Sequence, residues 1–125
     1  MSIYLDTHVI VWLYAGLNGK FTQRGHELIN QHTLLISPIV QLELQYLFEI
    51  KRATDDAKTM ISALQRQIKL RLCNEPFASV VHQSLSINWT RDSFDRLIVA
   101  HAQLTNAKLL TIDKKIQANY PQAVW

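Results

Sequence analysis

Apolar residues along this chain fall into two alternating patterns, short continuous runs and longer stretches repeating at helical spacing. Ser2 to Asp6 is a run of the first kind and reads as a short strand. His8 to Tyr14 continue as an apolar helix until Gly16, Asn18 and Gly19 break it. Thr22 to Gln31 has helical spacing. Leu34-Leu35-Ile36-Ser37 reads as a buried strand closed by Pro38, a residue suited to the first turn of a following helix. Ile39 to Lys51 and Thr54 to Lys69 form two long helical patterns, the second opened by the capping acids of Thr54-Asp55-Asp56. Leu70 to Cys73 is a third strand, and Pro76 opens a helix ending near Leu85. Ser93 to Leu104 forms another helix behind Asp92. Lys108 to Ile112 is a strand, Lys114 to Asn119 a short helix, and Ala123 to Trp125 a closing edge strand.

Strands this short and this uniformly apolar do not suit a sheet with one wet face. Their alternation with helices predicts an α/β fold, with a short central parallel sheet covered by helices on both faces. A length of 125 residues and 48% hydrophobic content suit a single domain over 1–125 with one core. No repeat, low-complexity run or linker interrupts it. The one cysteine, Cys73, excludes an internal disulfide framework and a multi-cysteine zinc site, and it fits a reducing cytosol. Met-Ser-Ile-Tyr-Leu-Asp reaches an acid too soon for a signal-peptide core, and no apolar run approaches the roughly 18 residues of a membrane span. The expectation is a cytoplasmic protein with no membrane attachment.

Four acids stand out against this apolar pattern. Asp6 ends the first strand and Asp113 follows the strand from Lys108 to Ile112, where ligands bind in open α/β sheets. Each is equally well placed to cap the helix that follows it. On the helix from Ile39, Gln41, Gln45, Glu49 and Arg52 make a narrow polar stripe. Glu43 lies roughly opposite, among Ile39, Leu47 and Ile50, on the inward face. Asp95 shares the inward face of its own helix with Ile98, Val99 and Ala102. Inward carboxylates need partners, either a buried Arg or His or a metal ion. Asp92, three residues before Asp95, has the position of an N-cap and a second use in holding water at a metal. The five histidines lack close paired zinc spacing, so an oxygen-ligated cation such as Mg²⁺ or Mn²⁺ is favoured. Thirteen Lys and Arg against ten Asp and Glu leave +3. With four acids assigned to the site, six remain against thirteen bases, a surface of +7 suited to a polyanion or simply a basic exterior. Arg91, Arg96, Lys114 and Lys115 flank the acids and are either phosphate contacts or solvated helix ends.

With these acids placed, the ordered segments Leu5-Asp6-Thr7-His8-Val9, Ser37 through Glu43, Asp92-Ser93-Phe94-Asp95-Arg96 and Leu110-Thr111-Ile112-Asp113 resemble the PIN-domain ribonucleases. Among them the chain is most similar to the VapC toxins of type II toxin–antitoxin pairs, over essentially its whole length. The resemblance implies a metal-dependent endoribonuclease with Asp6, Glu43, Asp95 and Asp113 as its acidic quartet. Within that quartet Asp6 and Asp95 are expected as the principal metal ligands, Asp113 as the holder of a second ion or its water, and Glu43 as the residue that orients water or acts as base. Thr7 and Thr111 match hydroxyl positions beside them. It also implies an RNA substrate, a cognate antitoxin over the acidic cleft, and a homodimer, with apolar residues between Ile39 and Leu70 available for these contacts. Ser93 departs from the proline usual at its place. A receiver-type switch is disfavoured, because no acid ends the second strand and no adjacent acid pair ends the first. A phosphotransferase with an Asp-x-Asp nucleophile is disfavoured by His8. A PIN-like binding module with little turnover is the remaining alternative.

Overall fold

A computed structural model describes all residues from Met1 to Trp125. In chain order the elements are β1 (Ser2–Leu5), α1 (Thr7–Ala15), a 3₁₀ turn (Asn18–Lys20), α2 (Gln23–Gln31), β2 (Thr33–Ile36), α3 (Ile39–Glu49) and α4 (Ala57–Ile68). They continue with β3 (Arg71–Leu72), α5 (Phe77–Ser84), α6 (Ser93–Leu104), β4 (Lys108–Leu110), α7 (Lys114–Asn119) and β5 (Ala123–Val124). The strands form one sheet of order β3-β2-β1-β4-β5, with every neighbouring pair parallel.

Consecutive strand residues point to opposite faces, so a strand with every residue buried is covered on both sides. Ile3, Tyr4 and Leu5 of β1 are all buried, as are Leu109 and Leu110 of β4, and this is the two-faced helical cover expected from the sequence. Register places Tyr4 beside Leu35 and Leu109, and Leu5 beside Leu110. A 27-residue apolar cluster joins these strands to the inner faces of the helices, including Val40 and Leu44 of α3 and Ile98, Val99 and Ala102 of α6.

Boundaries differ from the sequence reading where caps decide them. The second long helix begins at Ala57, because the Asp56 side chain accepts from Thr59 N at 2.9 Å and fixes the start there. The third strand shrinks to Arg71–Leu72, although Cys73 N still donates to Ile36 O at 2.9 Å. α1 stops at Gly16, whose φ of 70° is the left-handed cap conformation that glycine adopts without steric cost. Because all strands are parallel, the C-terminal ends of β1, β2 and β4 lie along one edge of the sheet.

Candidate active site

Asp6 follows β1 directly and serves as the N-cap of α1, its Oδ1 accepting from Thr7 N at 2.8 Å. That leaves Oδ2 free for a second partner, and the Thr111 hydroxyl donates to it at 2.5 Å from the end of β4. The same Thr111 oxygen accepts from Asp113 N at 3.0 Å, while Asp113 Oδ1 caps α7 by accepting from Ile116 N. On the other side, the Thr7 hydroxyl donates to Glu43 Oε1 at 2.5 Å. Thr7 and Thr111 thus link Glu43 of α3 with Asp6 and Asp113, the N-caps of α1 and α7, into one chain. The paired alternatives for Asp6 and Asp113, cap or cleft, resolve as both at once.

Asp92 is the N-cap of α6 and accepts from Asp95 N at 3.0 Å, which sets the first turn carrying Asp95. Phe94, between them, packs against Tyr46 of α3 with ring centroids 6.3 Å apart. That contact ties the helix bearing Glu43 to the helix bearing Asp95. The resulting cleft, about 260 Å³, is lined by Asp6, Glu43, Asp92, Asp95 and Asp113 together with His8 and Ile112. His8 is the member that sequence reasoning left out. Its signal was its position two residues beyond Asp6, on the first turn of α1.

Crowding acids together in a partly buried site raises the cost of ionising them. Burial lifts the pKa of Asp6, against the opposing hydrogen bonds from Thr111 and Thr7. Burial likewise lifts Glu43, with the Thr7 hydroxyl and the charge of His8 working the other way. Asp95 is pushed up to about 7, first by burial and then by the negative charges of Asp92, Asp6, Asp113 and Glu43. All four of these neighbouring charges are carboxylates. Arg91 and Arg96 line a separate depression beside α5, where Arg96 Nη2 donates to Ser84 O at 3.1 Å, and Lys114 and Lys115 are exposed at the start of α7.

Residues 3–120 match the PIN domain family. The chain belongs to that family. Its PIN fold is also that of three solved structures. VapBC2 from Rickettsia felis bound to a DNA fragment from their promoter is 20% identical, with a TM-score of 0.67 and coverage of 94% of this chain and 92% of that one. A toxin-antitoxin complex from Klebsiella pneumoniae is 18% identical, with a TM-score of 0.69 and coverage of 98% and 96%. VapBC-1 from nontypeable Haemophilus influenzae is 22% identical, with a TM-score of 0.61 and coverage of 94% and 91%. No curated protein matches the chain significantly.

Within this PIN site the donors are carboxylate and hydroxyl oxygens with a single imidazole, His8, a set dominated by the oxygens that hard divalent cations take. As the side chains stand, no three of them converge on one point closely enough to ligate a single ion. Mg²⁺ does not require such convergence, since it keeps several waters and needs only one or two direct carboxylates. The residues therefore fit such an ion by charge and by chemistry. No helix is long and apolar enough to cross a membrane.

Proposed function

We propose that this PIN domain is a divalent-metal-dependent endoribonuclease of the VapC type, the toxin of a type II toxin–antitoxin pair. One observation carries the reading: five carboxylates surround a single cleft at the C-terminal edge of a parallel sheet, and Asp95 is held near 7 largely by burial and its fellow acids. Structural carboxylates gain nothing from such crowding, whereas a bound cation would make their ionised forms stable. Bound Mg²⁺ or Mn²⁺ would activate water and neutralise the charge that develops on a phosphate during hydrolysis.

The chain's own residues divide the remaining work. Asp6 and Asp95 are the principal anchors for the ion, with Asp113 holding a second ion or its water and Asp92 supporting the site through water. Thr111 orients Asp6 by its hydroxyl and Thr7 orients Glu43, so neither carboxylate needs to be repositioned during reaction. Glu43 is the proton acceptor or water-orienting group, a role that suits a carboxyl whose pKa burial has moved toward neutrality. Arg91, Arg96 and Lys114 hold backbone phosphates outside the cleft, and Arg96 is braced for this by Ser84 O.

The three solved structures are toxin–antitoxin complexes, which supports a protein antitoxin as the partner that covers the cleft. Leu42, Tyr46 and Ile50 leave exposed apolar side chains on or next to α3, a surface for a homodimer. The splay of the carboxylates favours one alternative, a PIN-like binding module with little turnover. The deciding experiment is incubation of antitoxin-free protein with a mixed tRNA, rRNA and mRNA pool in Mg²⁺, in Mn²⁺ and in EDTA, alongside Asp95→Asn. Discrete metal-dependent fragments that the variant fails to produce are expected. Intact RNA after incubation with folded, metal-supplied protein would overturn the nuclease reading in favour of the module.

A further inference from the structure

A second cavity, about 250 Å³, opens at the same edge of the sheet, beyond β2 and β3 rather than beyond β1 and β4. Exposed Glu75 and Phe77, the latter 68% exposed, stand at its mouth, and Ser37, Leu97 and His101 form inner walls. His101 is only 3% exposed. Its Nδ1 shares a 2.7 Å hydrogen bond with Ser37 Oγ, and its Nε2 is buried without a partner. Burial lowers the pKa of this imidazole, so the ring is neutral at pH 7. A buried polar atom with no partner is costly, and here it belongs to a residue that walls a cavity.

The volume lies between that of a cavity admitting benzene, about 150 Å³, and the lower end of drug-sized sites, about 300 Å³. One heteroaromatic ring is the right size. Phe77 offers an exposed stacking face, and Glu75 is an acceptor-only group of the kind that takes exocyclic amino protons from a base edge. Position favours a base over an unrelated small molecule. Ile39 in the cavity wall lies one turn before Glu43 on α3, a rise of about 6 Å, so the cavity stands close enough to the acidic cleft to receive a nucleotide next to one held there.

We infer that this cavity is a nucleobase subsite, which seats one base flanking the scissile bond and prefers cytosine, adenine or guanine, each bearing an exocyclic amino group that can donate to Glu75, over uracil, whose exocyclic groups are carbonyls that only accept. The inference rests on the nuclease reading and specifies its substrate. It is tested with oligoribonucleotides randomised around the cleavage position, cut in Mg²⁺ by the wild type, Glu75→Gln and Phe77→Ala. Both substituted side chains are exposed, so the variants retain the fold. The wild type should disfavour uracil at one flanking position by about fivefold or more in kcat/KM, the scale of one specific base contact. Glu75→Gln should erase that discrimination, and Phe77→Ala should raise KM for every base there by about fivefold. In parallel, the His101 imidazole resonances should move with cytidine monophosphate and not with uridine monophosphate. Cleavage with no flanking-base preference, or a preference unchanged in Glu75→Gln, overturns the subsite and leaves the nuclease standing. Absence of any metal-dependent cleavage overturns the nuclease reading and this subsite with it.

Discussion

Asn in place of Asp95 should make the metal-free protein more stable, even though it removes a proposed catalytic group. In the folded chain Asp95 ionises near 7 and in the unfolded chain near its ordinary value of 3.8. Between these values the folded state holds the extra proton, so stability from this group is undiminished below about pH 4 and falls as pH rises, with the full penalty above about 7. The displacement corresponds to about 4 kcal/mol against the ionised form. Because the side chain still reaches solvent, screening reduces this to roughly 2 kcal/mol. Loss of a negative charge from the first turn of α6 takes back up to about 1 kcal/mol. A net gain of about 1 to 2 kcal/mol raises the Tm of a chain this long by roughly 4–8 °C. Thermal melts in EDTA at pH 8 should show that gain, and melts at pH 4.5 should show little of it. Saturating Mg²⁺ should reverse the order, stabilising the wild type more than the variant. Equal melting at pH 8 in EDTA, or a variant that melts lower there, would refute the account of a site strained by its own charge.

Three further outcomes follow from the geometry. Thr111→Val removes the hydroxyl that donates to Asp6 and accepts from Asp113 N, so urea unfolding should show a loss of about 1–3 kcal/mol, with cleavage reduced as well; unchanged stability would mean that water replaces both bonds. Gly16→Ala meets no neighbouring atom within 4 Å, so its cost should be that of the left-handed backbone alone, about 1–2 kcal/mol, seen as a lower denaturation midpoint at constant slope. Leu42→Glu with Ile50→Glu should convert the proposed dimer to monomer by light scattering while leaving the circular dichroism spectrum intact, and an unchanged mass would place self-association elsewhere.

Much of this was legible because periodicity reports which way a side chain faces. Glu43 stood out as an inward acid from its angular neighbours, although one of them, Ile50, caps the end of α3 and is exposed rather than inward, and Asp95 stood out from its place beside Ile98, Val99 and Ala102. The strands were legible because continuous apolar runs have few other uses in a chain alternating with helices. Pairings across long separations were not. Thr7 and Thr111 drew notice only by family likeness, since no local pattern joins Thr111 to an aspartate 105 residues away. His101 gave no sign of its bond to Ser37, and Arg96, read from its sequence neighbours, turns its guanidinium to Ser84 O on the end of α5. Position alone also posed Asp6 as a choice between cap and cleft. One Asp6 oxygen caps α1 and the other accepts from the Thr111 hydroxyl, while the residue as a whole lines the cleft.

The outer strands of the sheet, Arg71–Leu72 and Ala123–Val124, are two residues long. A long, flat outer strand would present a row of unpaired amides and carbonyls on which another copy could grow, the route by which native folds seed fibrous aggregates. This chain offers almost no such row, and one of its two borders carries an arginine. Molecules accumulating without a partner therefore have side-chain surfaces through which to associate, not backbone. Insoluble material formed during overproduction would accordingly signal chains that had not reached the native state, and remedies should aim at folding conditions rather than at redesign of the sheet's borders.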